Sequence, residues 1–120
     1  MNAMAAKGAT QIDLTEPLME LVSERFRVLG EPMRIRLLNE LRDGERTVGE
    51  LREATGASQQ NVSKHLGILL NAGMVARSKE GNLARYSIAD DSVFELCEIV
   101  CGGVQRQVDA LSAALRGQAA

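Results

Sequence analysis

Two clusters of side chains in this sequence have the types and spacing to do chemistry. Cys97 and Cys101 are the only cysteines among 120 residues. At i and i+4 they project from the same side of a helix, and a dimer paired along that helix brings up to four thiols to one interface. Thiolates favour soft ions such as As(III), Cd(II), Hg(II) or Cu(I), and two converging sulfurs can also be oxidised, persulfidated or cross-linked between subunits. Two sulfurs can hold mercury or an alkylated arsenical, whereas arsenite needs a third from the partner. A bridge within one helix is disfavoured, because Cβ atoms at i and i+4 stand farther apart than a relaxed disulfide allows. The same residues occupy successive positions of an apolar seam, where free cysteine serves as a small hydrophobe. Packing and sensing therefore stand side by side as readings.

The second cluster is Ser58, Gln59, Gln60 and Asn61, followed by Ser63, Lys64 and His65. Val62, Leu66, Leu69 and Leu70 repeat at i, i+4, i+7 and i+8, so the apolar residues form one stripe of a helix and the polar ones lie outside it. Ser58 supplies an N-cap hydroxyl, and Gly56 permits the sharp turn before it. Amide side chains at an exposed helix N-terminus, after a short helix and a glycine turn, suit a reader of the DNA major groove. Gln and Asn can pair bidentately with adenine, and Lys64 can reach guanine or a phosphate. An ordinary amphipathic surface helix is the plainer alternative.

Neither cluster supports catalysis. His65, the sole histidine, has Ser63 nearby on its own helix but no glycine-rich elbow and no positioned carboxylate, so a DNA-facing or capping role is expected. As a metal ligand it has no partner near it in sequence. Cys97 and Cys101 lack a C-x-x-C spacing, a helix N-terminus and a basic neighbour to lower a thiol pKa, which argues against a thiol enzyme.

The elements that must position these residues are mostly helical. Thr15-Glu16-Pro17 predicts a helix start, with Leu18, Leu21, Val22, Phe26 and Leu29 on one face and Gly30 as the stop. Pro32 opens a second helix with Ile35, Leu38 and Leu41 inward, and Asp43-Gly44 ends it. Thr47-Val48-Gly49-Glu50 fits a capping box and opens a short third helix, which runs out at Thr55-Gly56. With the Ser58 helix it forms a helix-turn-helix. From Met74 the period falls to about two, predicting a hairpin whose strands carry Arg77, Lys79 and Arg85 around Glu80-Gly81-Asn82. Asp90-Asp91-Ser92 caps a long last helix, on which Cys97, Cys101, Val104, Val108, Leu111 and Leu115 form a coiled-coil-like seam. Val93, Leu96 and Val100 border that seam. One helix cannot bury two apolar faces against so small a domain, so the first and last helices are expected to pair with a second copy of the chain.

The formal net charge of -2 conceals a local asymmetry. Residues 58–88 hold Lys64, Arg77, Lys79 and Arg85 against Glu80 alone, while the acidic residues gather elsewhere. A local basic field is what DNA responds to. No run of about 18 apolar residues predicts a membrane span. Residues 1–12 read as a flexible tail without the apolar core of a signal peptide, residues 13–117 as one domain, and the cytoplasm as the default location.

The run LGEPMRIRLLNELRDGERTVGELREATGASQQNVSKHLGILLNAGMVARSKEGNLARYSI resembles the ArsR/SmtB family of bacterial winged helix-turn-helix repressors, over roughly residues 18–112. The resemblance implies a mainly α homodimer with a two-stranded β wing, in the order α-α-α-α-β-β-α, that represses an operon until an inducer releases it from operator DNA. It places Ser58, Gln59, Gln60, Asn61, Ser63, Lys64 and His65 toward the major groove. Arg77, Lys79 and Arg85 go to phosphates, with Asn82 at the wing tip. The family's inducer motifs are missing. Its third-helix ELCVCDL corresponds here to residues 45–51, without cysteine, and its last-helix D-x-H-x10-H-x2-E/H site corresponds to Asp90, Ser92, Gly103 and Arg106. Cys97 and Cys101 remain as the inducer or metal site, with no obligatory cofactor. The rival reading is a constitutive or partner-regulated DNA binder whose cysteines only pack.

Overall fold

The computed structural model describes residues 11–117. The tail expected over residues 1–12 therefore lies mostly outside the described residues. Among these residues five helices and three strands follow in the order α1 (Glu16–Leu29), α2 (Pro32–Glu40), β1 (Arg46–Thr47), α3 (Val48–Thr55), α4 (Gln59–Asn71), β2 (Val75–Glu80), β3 (Leu83–Ile88) and α5 (Asp91–Leu115).

Local chemistry accounts for most boundaries. Thr47 and Glu50 form the reciprocal capping box of α3, with the Glu50 amide donating to Thr47 Oγ1 at 3.1 Å and the Thr47 amide donating to Glu50 Oε1 at 2.9 Å. Gly56 ends α3 at φ +74°, a conformation that disfavours any Cβ. Ser58 then caps α4 by accepting from the Asn61 amide at 3.1 Å. Asp90 caps α5 through the Ser92 amide and also pairs with Arg25 at 3.0 Å, which ties α1 to the start of α5. At the wing turn Gly81 has φ +62° and Asn82 does not have a positive φ, the pattern of a type II′ turn, whose twist matches the flanking strands.

The core is aliphatic. Leu37, Leu38 and Leu41 of α2 and its end, Leu51 of α3, and Val62, Leu66 and Leu69 of α4 enclose Met74 and Val75 at the entry to the wing. The second helix departs from expectation here. Leu37 is fully buried whereas Ile35 is 40% exposed, because Leu37, Leu38 and Leu41 share a face while Ile35 turns toward α5.

The expected two-stranded wing, β2 and β3, is present, and its sheet carries one further short strand at the edge. Its order is β1-β3-β2, all antiparallel, with Arg46 opposite Tyr86 and Thr47 opposite Arg85. The extended cap residue of α3 lies along the free edge of β3, and a strand of two residues has no periodicity to read. The long helices leave their apolar faces open. Val93 is buried, but Val104, Val108, Leu111 and Leu115 of α5 and Leu21, Val22 and Phe26 of α1 are exposed.

Candidate nucleic-acid interface and thiol groove

Three apolar residues of α4, Val62, Leu66 and Leu69, are sealed in the core, so the helix cannot roll about its axis. That fixes which side chains face outward. Gln59, Gln60, Ser63 and Lys64 are exposed on its first two turns, and Asn61 is half-buried. Ser58 lies beside them, its hydroxyl engaged as the cap.

His65 is the correction in this set. It is only 6% exposed, because position 65 lies three residues after Val62 and four before Leu69, on the core side of the helix. Its Nδ1 stands 3.1 Å from Arg34 Nη1, and its Nε2 stands 4.0 Å from Glu31 Oε2. The ring is held between two residues of the α2 N-terminus and is closed off from solvent. Sequence reasoning did not foresee that Arg34 and Glu31 hold this ring, although the spacing of His65 within the apolar stripe was a usable signal of its burial.

The wing divides its cations between two faces. Strand pairing sets Arg77 opposite Tyr86 and Lys79 opposite Ala84, so both basic residues share one face and extend it past the buried Tyr86 and Val75. Arg85 is paired with Ser78 and projects from the other face. There its Nε lies 3.5 Å from Glu80 and 3.9 Å from Glu45. Arg77, Lys79 and the tip residue Asn82 are exposed, whereas Arg85 is half-buried and partly neutralised. The three cations grouped by the sequence therefore do not form one surface.

Cys97 and Cys101 line a common apolar groove of about 230 Å³ between α1, the start of α2 and α5. Phe26, Leu29, Ile35, Leu96 and Val100 provide its other walls. Cys97 is half-buried and packs against the core, whereas Cys101 is exposed. Burial pushes the Cys97 thiol up, and the neighbouring Cys101 and Glu98 add to the effect, so Cys97 is a neutral thiol at neutral pH. Glu98, between the two cysteines, is paired with Arg42, which also stacks over Phe94. Among the described residues no three His, Cys, Asp or Glu side chains come together to hold a metal ion.

The model of the family described as "Bacterial regulatory protein, arsR family" matches residues 31–77, which run from the α2 cap through α4 into the wing. An uncharacterised HTH-type transcriptional regulator of Mycobacterium tuberculosis, Rv0081, is 42% identical over 86 residues, 71% of this chain and 75% of the relative. This chain belongs to the arsR family of bacterial regulatory proteins.

The crystal structure of Rv0081 agrees with that membership, with a TM-score of 0.73 at 38% identity over 82% of this chain and 100% of the other. A homodimeric winged helix-turn-helix DNA-binding domain from Mycobacterium bovis matches with a TM-score of 0.70 at 30% identity, over 81% and 90% of the two chains. A probable mercury resistance operon repressor of Streptomyces lividans is 38% identical over 95 residues, 78% of this chain and 74% of the relative. The fold and relatives of this arsR-family chain are those of DNA-binding transcriptional regulators, not enzymes. Residues 45–51, where the family's third-helix thiol motif would lie, form the edge strand and the first turn of α3. No helix among the described residues is long and apolar enough to cross a membrane.

Proposed function

We propose that this chain is a dimeric transcriptional repressor that leaves its operator when a thiophilic inducer acts on Cys97 and Cys101. One observation carries the reading: both thiols open into the same apolar groove, on the helix whose outer face is left uncovered in the single chain. In a dimer packed through α1 and α5, a change at that groove alters the angle between the protomers. The two copies of α4, which must fit successive turns of DNA, then lose their register. Gln59, Gln60, Ser63 and Lys64 read the major groove, with Arg77 and Lys79 on phosphates and Asn82 at the wing tip.

Two sulfurs without a third ligand suit Hg(II), which is satisfied by two thiolates, or an arsenical that already carries a carbon substituent. Arsenite would need a cysteine from the second protomer. The mercury resistance relative supports this class of inducer. Oxidants and persulfides act on the same pair by forming bonds at sulfur, and they remain outcomes of the test.

The test is fluorescence anisotropy of reduced protein on its own upstream DNA, titrated with Hg(II), arsenite, Cd(II), a persulfide donor and peroxide. The wild type is compared with Cys97→Ser/Cys101→Ser. Release of the wild type alone establishes the site, and the active reagent identifies its class. If both proteins bind tightly and neither is released, the cysteines are packing residues.

A further inference from the structure

Two thiols and an apolar hollow meet on one side of α5. Cys97 and Cys101 stand one turn apart, and the groove of about 230 Å³ that they line has Phe26, Leu29, Ile35, Leu96 and Val100 as its other side-chain walls. Apart from the two sulfurs, no side chain lining it carries a polar or charged group. Glu98, between the cysteines in sequence, lines a separate small hollow and is paired with Arg42. Among the described residues no further His, Cys, Asp or Glu joins the sulfurs as a third ligand.

These walls set requirements on an inducer. An ion that needs three or four ligands finds two in one chain, and a bare ion held by two sulfurs leaves the apolar walls without contacts. A reagent that brings its own carbon substituent meets both conditions, with two bonds to sulfur and an apolar body for the groove. A cavity of about 150 Å³ lined by Leu, Ile and Phe admits benzene, so this groove has room for one aromatic ring.

We propose that the inducer is an arylarsonous acid, an aromatic ring on As(III) with two hydroxyls, chelated by Cys97 and Cys101 with the ring seated against Phe26, Leu29 and Ile35. The proposal rests on the thiol pair being the inducer site. Each thiol forms one S–As bond, and its proton leaves with one arsenic hydroxyl as water. One arsonous acid and two thiols thus give one cyclic dithioarsonite and two waters; arsenic stays trivalent and sulfur is not oxidised. Reactants and product are neutral, which suits a thiol held protonated by burial and a groove without a counter-charge. The interposed arsenic spans a gap between i and i+4 that a direct S–S bond does not. Cys101, exposed, bonds first, and closure on half-buried Cys97 draws the ring between α1 and α5. Those helices carry the uncovered apolar faces, so an added ring there changes how two protomers meet.

Anisotropy of the reduced protein on its own upstream DNA, titrated with phenylarsonous acid, methylarsonous acid, arsenite and Hg(II), tests the proposal. Half-release by the phenyl compound is expected at a concentration roughly tenfold below that for the methyl compound, because more apolar area is buried. Neither should release Cys97→Ser/Cys101→Ser. The phenyl-to-methyl ratio is taken within each protein, so a changed operator affinity cancels. Ile35→Asn, at a wall position 40% exposed in the single chain, should bring the ratio toward one, and Val100→Ser, at 54%, gives the same reading where the first variant fails to fold. Intact mass should show one arylarsenic on one chain with both thiols consumed. Equal potency of the phenyl and methyl compounds, arsenite as potent as the phenyl compound, a ratio unmoved by the wall variants, arsenic linking two chains, or labelling without release each overturns the inference. Release of the wild type by Hg(II) and by no arsenical, with the double serine variant unaffected, overturns it while leaving the thiols as the inducer site. Release of neither protein by any reagent removes that reading and the inference together.

Discussion

Cys97 and Cys101 are one helical turn apart and have unlike surroundings. The half-buried Cys97 is held protonated by desolvation, while Cys101 stands in solvent. Because alkylation proceeds through the thiolate, iodoacetamide should modify Cys101 in a Cys97→Ser variant faster than Cys97 in a Cys101→Ser variant at pH 7.5. Mass spectrometry of timed samples gives both rates, and equal rates at pH 7.5 would contradict the burial argument. The sequence placed both cysteines on one side of a helix. It had no means of ranking them, since their difference comes from Phe26, Leu29 and Ile35, contributed by other helices. The exposure of Gln59, Gln60, Ser63 and Lys64 was legible for the opposite reason, because it follows from the apolar spacing of α4 itself.

Among the elements, the wing separates what strand alternation shows from what pairing decides. Alternation correctly set Arg77 and Lys79 together, but the relation of β3 to β2 depends on register, which put Arg85 on the other face with Glu80 and Glu45. Arg77→Ala and Lys79→Ala should each weaken DNA binding and lower the salt slope by about one, while Arg85→Ala leaves the slope nearly unchanged. Anisotropy at three or more salt concentrations checks this, and an equal slope change for Arg85→Ala would place it on the DNA.

The helix caps make a second element-scale prediction. Backbone hydrogen bonding from Thr47 holds the Glu50 carboxyl low, and the Ser92 hydroxyl and amide do the same for Asp90. At Glu31 desolvation pulls upward, yet the amide hydrogens of Arg34 and Met33 leave the net shift downward. With folded pKa values below the unfolded ones, this stabilisation is present above about pH 4.5 and is lost as pH falls through the folded values. Melts at pH 6 and pH 3 should show a smaller acid-induced drop in Glu31→Gln/Glu50→Gln than in the wild type. Independently, Thr47→Ala should cost about 1 kcal/mol in urea unfolding at pH 7.

For the whole molecule, the uncovered faces of α1 and α5 set the oligomeric expectation. A charge at Phe26 or Leu111, each more than half exposed in one protomer, should interrupt a self-associating surface. Phe26→Glu and Leu111→Glu are expected to run as folded monomers by light scattering and to lose operator affinity by roughly a hundredfold or more, because each half-site then binds alone. A variant that is monomeric yet binds as tightly as the wild type would show that dimerisation is not used on DNA.

The sequence by itself determined the helix order, the caps at Thr47, Ser58 and Asp90, the hairpin turn and the face of α4 that meets solvent. Each of these follows from interactions within a few residues, so composition and spacing contain them. Tertiary structure alone decided the third strand, the separation of Arg85 from Arg77 and Lys79, the unequal burial of the two thiols and the enclosure of His65 by Arg34 and Glu31. Those depend on residues distant in the chain meeting across helices and strands. Local periodicity names the face a side chain occupies, and only packing supplies what lies opposite it.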